Sequence, residues 1–102
     1  MDILQKIKTV LARTLADKGT AYLFGSRARG VANADSDWDV LVILNKDTLE
    51  VKDYDEITYP LYALGWDENQ IISPILYTKS EWLKQSFTPF FKNVEREKIV
   101  LL

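Results

Sequence analysis

Residues 24 to 44 read Phe24-Gly25-Ser26-Arg27-Ala28-Arg29-Gly30-Val31-Ala32-Asn33-Ala34-Asp35-Ser36-Asp37-Trp38-Asp39-Val40-Leu41-Val42-Ile43-Leu44, and their pattern decides the fold. Just ahead, Ala21-Tyr22-Leu23-Phe24 predicts a short buried strand that leaves the core abruptly at Gly25-Ser26. Val31 to Ser36 is small and polar and predicts a loop. Asp37 to Leu44 then predicts a strand rich in β-branched residues. Its first half alternates and its second half is continuously apolar. That pattern suits a central strand whose tail is buried on both faces and whose leading end looks onto a site.

The chemistry of this stretch follows from its residue types. A Gly at the end of a strand lets a phosphate approach the backbone, and the Ser26 hydroxyl and following amides can donate to phosphate oxygens. Asp37 and Asp39, two apart on a strand, point to the same face and can share a divalent cation through hard oxygen ligands. Trp38 alternates with them and so faces the core side. Arg27 and Arg29 are candidates to clamp phosphate or acceptor; the alternative is that they are solvated or paired with Asp35. A lone Asp-x-Asp is usually a solvated strand end and a lone Gly-Ser usually a turn. The inference rests on both together, with ten residues between them and a hydrophobic strand on either side.

Outward from this centre, Ile3, Leu4, Ile7, Val10, Leu11 and Leu15 recur at helical spacing and predict a helix over Asp2 to Lys18, ended by Gly19. Tyr54, Ile57, Leu61 and Leu64 predict a helix between Leu49 and Trp66, with Pro60 kinking it or costing one backbone hydrogen bond. Gln70 to Tyr77 predicts a third strand, and Pro74 places it at a sheet edge or a bulge. Thr78 or Ser80 can cap a short helix through Trp82 and Leu83, and Thr88-Pro89 opens a final helix. The apolar terminus Ile99-Val100-Leu101-Leu102 is expected to enter the chain's own core, with a contact surface as the alternative. The expected fold is one α/β (α+β) domain over residues 1–102, a small mixed β-sheet covered by helices.

Composition narrows the chemistry. With 102 residues there is room for one core and no second catalytic domain. A net charge of −2 gives no general attraction to long nucleic acid. There is no Cys and no His, so acid, base and metal chemistry fall to Asp and Glu. The start Met1-Asp2-Ile3-Leu4-Gln5-Lys6-Ile7 lacks the pattern of a secretory signal, and no apolar run is long enough to span a membrane. A cytoplasmic location is expected; self-association as a homo-oligomer is left open.

The text Gly25-Ser26-Arg27-Ala28-Arg29-Gly30 followed by Ser36-Asp37-Trp38-Asp39 resembles the nucleotidyltransferases of the DNA polymerase beta superfamily, and is particularly similar to the minimal nucleotidyltransferases of prokaryotes. The resemblance is close over Phe24 to Leu44 and loose elsewhere. It implies a nucleoside triphosphate, ATP by preference, bound with Mg2+. It further implies that Ser26 touches the terminal phosphates and that Asp37 and Asp39 bridge metals while a hydroxyl attacks the α-phosphate and pyrophosphate leaves. Small relatives of this kind act on a protein partner, commonly a helical toxin of the HEPN type, some transferring AMP to one of its tyrosines, which would make this chain an antitoxin.

One feature departs from that pattern. Active members carry a third carboxylate on the next core strand, and alignment of Ile71 to Tyr77 puts Ser73 there. Asp67 and Glu68 come several residues earlier, roughly 15 Å or more away at about 3.3 Å per residue. The competing expectation is therefore a weak or inactive domain that regulates a partner by binding alone.

Overall fold

The computed structural model describes residues 1–102. The first helix, α1 (Ile3–Leu15), starts where Asp2, in extended backbone, accepts the Gln5 N–H at 2.8 Å. It buries Ile7, Val10, Leu11 and Leu15. The expected stop at Gly19 is corrected: the helix ends at Leu15, and Ala16 takes the positive φ of 49°. Gly19 instead opens strand β1 (Gly19–Phe24) opposite Leu44. A side chain there would run into the backbone of Ile43 and Leu44, so the glycine serves close strand pairing.

β1 leads into a single short turn of helix, α2 (Ser26–Arg29), and the chain returns as β2 (Trp38–Leu44), antiparallel to β1. The following crossover comprises α3 (Val51–Asp53), a π-helical stretch (Tyr54–Thr58) and α4 (Tyr59–Glu68). The proline problem posed by the sequence is solved here. Pro60 lies within an unbroken helical run immediately after the π-helical stretch, where the Tyr59 N–H reaches back to the Tyr54 carbonyl and the wider turn accommodates the proline. The wider turn before it is tied by the Thr58 hydroxyl, which donates to the Tyr54 carbonyl at 2.7 Å.

The crossover delivers β3 (Ile72–Thr78) parallel to β2. The sheet order β3-β2-β1-β4 leaves β3 at an edge, where Pro74 is tolerated. Thr78 caps α5 (Lys79–Lys84): its hydroxyl accepts the Glu81 N–H at 3.1 Å, while Glu81 accepts the Thr78 N–H at 2.9 Å. Thr88 likewise caps α6 (Pro89–Glu97), accepting the Phe91 N–H at 3.1 Å. The terminus adds a two-residue strand, β4 (Ile99–Val100), along β1. Core entry there is limited to its end: Leu101 is buried, whereas Ile99 and Val100 are exposed.

Helices cover both faces of this mixed sheet. On one face Ala21, Leu23, Val40, Val42 and Leu44 pack with α1 and the crossover. On the other, Phe24, Leu41 and Ile43 pack with Trp82 of α5 and Val94 of α6. Burial of Val40 to Leu44 from both sides accounts for the continuously apolar tail of β2. No helix is long and apolar enough to cross a membrane.

Candidate functional site

Alternation along the strands assembles the site. Asp39 lies on the same face of β2 as Leu41 and Ile43, toward α5 and α6, with Asp37 immediately before the strand. Its register partners are Phe24 on β1 and Ser73 on β3. Ser73 reaches back across the strand pair, its hydroxyl donating to Asp37 Oδ2 at 3.3 Å. The structure thus brings Asp37, Asp39 and Ser73 to one end of one face, as the aligned sequence anticipates.

Gly25 closes this group from the β1 side. Its backbone, φ 77° and ψ −161°, lies in a region essentially reserved for glycine. A Cβ on Gly25 would overlap Asp39 Oδ2 and stand 3.2 Å from Asp39 Cγ. The carboxylate therefore lies directly against the glycine turn, joining the two halves of the motif. Beyond it, the Ala28 and Arg29 N–H groups bond the Gly25 carbonyl at 3.0 and 3.1 Å, and Gly30 ends α2 with φ 75°. Ser26 is half-buried at the start of that turn.

The two arginines part company. Arg27 turns toward Trp38, its guanidinium 4.3 Å from the ring centroid, and Nη2 donates to the Ser36 carbonyl at 3.0 Å. It pins the polar loop from the side of β2 opposite the carboxylates. Trp38 packs against the α1/α4 core as expected and donates Nε1–H to Gln70 Oε1 at 3.1 Å. Arg29 stays at the site, pairing with Glu97 Oε2 at 3.0 Å. Neither arginine pairs with Asp35.

Glu97 is the residue that sequence reasoning missed. Its other oxygen, Oε1, accepts the Gly25 N–H at 3.0 Å across 72 positions of sequence. Burial pushes its carboxyl up, but the bonds from Arg29 and Gly25 outweigh this and leave its pKa below the usual value. The one signal available was an acid at the end of a helix, where the helix dipole disfavours it and a compensating partner is needed.

Asp39 shows the opposite balance. Burial and then the charge of Asp37 push its pKa up, Arg29 works against them, and Glu97 adds to the rise. A divalent cation shared with Asp37 would relieve that repulsion. The donor set suits magnesium, which takes one or two carboxylates and completes its shell with water and substrate phosphate. No third carboxylate joins this pair in a metal-binding cluster. A cavity of about 480 Å3 lies by Ser36, Trp66 and Gln70 and is lined by none of Gly25, Asp37, Asp39 or Ser73. Asp37 is exposed and Asp39 and Ser73 are half-buried, so the carboxylate site lies open to solvent, a form suited to a ligand held at its phosphates or to a macromolecular acceptor.

Comparisons with known proteins bear on the fold and the family. Residues 4–101 match the family model of the nucleotidyltransferase domain. A chain from Methanocaldococcus jannaschii, provisionally named a protein adenylyltransferase, is 35% identical over 95 residues, covering 91% of this chain and 92% of that one. A chain from a toxin–antitoxin crystal structure with AMP-PNP superposes with a TM-score of 0.66 at 22% identity, over 99% of this chain and 73% of its own length. A provisionally named nucleotidyltransferase from Sulfolobus solfataricus gives 0.63 at 18% identity, over 96% and 78%. With the family model running through almost the whole chain and the glycine turn abutting the Asp37/Asp39 pair, the chain belongs to the nucleotidyltransferase domain family.

Proposed function

We propose that this chain, acting as one domain over residues 1–102, binds a magnesium–nucleoside triphosphate, ATP by preference, and transfers the nucleoside monophosphate to a hydroxyl of a protein partner. The observation that carries this reading is the packing of the Asp39 carboxylate against the Gly25 turn, which puts a group chemically suited to a hard cation beside a backbone turn suited to phosphate. Asp37 and Asp39 hold the Mg2+, and Gly25, Ser26 and Arg29 receive the phosphates. When bound, the cation neutralises the triphosphate and polarises the α-phosphate. Arg27, committed to Trp38 and the Ser36 carbonyl, shapes the loop between the two halves. The acceptor hydroxyl oxygen bonds to the α-phosphorus, the bond from that phosphorus to the α–β bridging oxygen breaks, pyrophosphate leaves, and the hydroxyl proton passes to solvent water at this open site.

The partner class is supported by the toxin–antitoxin and adenylyltransferase relatives. A small helical protein of the HEPN type is the partner we propose, with the present chain as its antitoxin in the cytoplasm. The test is label transfer from ATP labelled at the α-phosphate to a small helical protein of that type, with Asp39→Asn as the comparison. Transfer that depends on Mg2+ and on Asp39 supports the reading; stoichiometric capture of the partner with no transfer sinks it.

A second reading has its own observation. Ser73 occupies the register position opposite Asp39, and its hydroxyl is no base for the acceptor proton. In this reading nucleotide and metal bind, chemistry is slow or absent, and the chain regulates its partner by contact. Capture without transfer is the result that favours it.

A further inference from the structure

Glu97 occupies two of the donors that the proposed function assigns to phosphate. Its Oε1 takes the Gly25 N–H at 3.0 Å and its Oε2 takes the Arg29 guanidinium at 3.0 Å. A planar anion with two oxygens on two such donors imitates the contact a phosphate group makes. Its side chain is 15% exposed, against 50% for Arg29, so the carboxylate sits on the inner side of the turn.

The flanks that place Glu97 are firm. On the helix side, Val94 is buried and Glu95 accepts the Trp82 indole N–H at 2.7 Å. On the other side Lys98 lies over the Tyr22 ring at 4.3 Å, and Ile99 and Val100 pair with Leu23 and Tyr22. The backbone at Glu97 is therefore held from both directions, and only its side-chain torsions are free to change. As the last residue of α6, it gains nothing from the helix dipole, so Gly25 and Arg29 are what hold the carboxylate in place.

We propose that Glu97 is a built-in competitor for the phosphate turn, holding Gly25 N–H and Arg29 in the free protein until a metal-bound triphosphate displaces its carboxylate. The inference rests on the nucleotide reading above and adds to it that affinity is set by a contest within the chain. Charge works in the same direction as geometry, because an undisplaced Glu97 also repels the incoming phosphates.

The test is calorimetric titration of the full chain with Mg-ATP and, separately, with magnesium tripolyphosphate. It compares the unaltered protein with Glu97→Gln and Glu97→Ala, with Asp39→Asn as the site control. Glu97→Gln keeps an acceptor for Gly25 N–H but loses the charge, whereas Glu97→Ala empties the turn. Affinity for both probes should rise in the order wild type, Gln, Ala, with about tenfold or more for Ala, the scale of releasing one charge-assisted hydrogen bond. If wild type binds and folded Glu97 variants bind equally or more weakly, Glu97 is a prop for the turn and the inference fails while the nucleotide reading stands. If neither wild type nor any Glu97 variant binds either probe, the nucleotide reading fails and takes the inference with it.

A readout in the unaltered chain covers the case of variants that do not fold. At saturating Mg-ATP, the Glu97 side-chain carboxyl and the Gly25 amide resonances should shift together. A Glu97 carboxyl signal that stays in place at saturation overturns the proposal.

Discussion

Gly25→Ala is the smallest change that strikes both halves of the site. The backbone at φ 77° and ψ −161° costs a residue with a Cβ about 1–3 kcal/mol. The new methyl would also overlap Asp39 Oδ2 and sit 3.2 Å from Cγ and 3.4 Å from Cβ of that side chain. The far end of Asp39 can rotate away, so the clash is relieved by moving the carboxylate out of its place beside Asp37. Thermal unfolding should show the strain as a fall in Tm of about 5 °C or more, at about 4–8 °C per kcal/mol for a domain of this size. Calorimetry well below that Tm should show Mg-ATP binding lost by more than the tenfold that a single weakened hydrogen bond explains. A variant with unchanged Tm refutes the strain argument, and one that binds Mg-ATP like wild type refutes the claim that Asp39 must stand where it does.

Three further outcomes are expected. Ser26→Ala should keep the fold and weaken Mg-triphosphate binding by about 1–3 kcal/mol, read by calorimetry; unchanged affinity would make the hydroxyl a bystander. Ser73→Asp sets a third carboxylate where the hydroxyl now lies 3.3 Å from Asp37 Oδ2. It should lower Tm without metal, regain it with Mg2+, and raise label transfer about tenfold or more; no gain in rate would show that the chemistry does not lack a carboxylate at that position. Asp53 lies away from the site; burial alone would raise its pKa, but the Glu50 N–H at 2.8 Å and Lys46 at 3.0 Å outweigh it and hold it below the ordinary aspartate value. A depressed carboxyl contributes stability above its unfolded value and loses it as pH falls through the folded one. Asp53→Asn should therefore lose less stability than wild type as pH falls from neutral through the ordinary aspartate range, with Mg-ATP affinity at neutral pH unchanged.

Much of this structure was legible because short-range rules happened to agree with long-range packing. Thr78 and Thr88 cap where their sequences say, and Pro74 lies on the edge strand it demands. Asp37, Asp39 and Ser73 meet because a period of two and a parallel register are readable from apolar patterns. The failures have one cause, partners distant in sequence. Gly19 looked like a helix stop because its tight approach to Ile43 and Leu44 is invisible until β1 and β2 pair. Ile99-Val100 was too short to announce a strand, and its pairing depends on β1 offering a free edge. Arg27 and Arg29 look equivalent in a turn, yet Trp38 claims one and Glu97 the other. Glu97 itself follows no motif, and only the packing of α6 brings it to Gly25.

The most direct measurement of the central claim is calorimetric titration of ATP into the unaltered chain with excess Mg2+ and again with EDTA, repeated for Asp37→Asn and Asp39→Asn. The expected result is binding in the presence of Mg2+ alone, abolished by either substitution in a protein that remains folded. Equal affinity with and without metal, or full binding by both Asn variants, would contradict it.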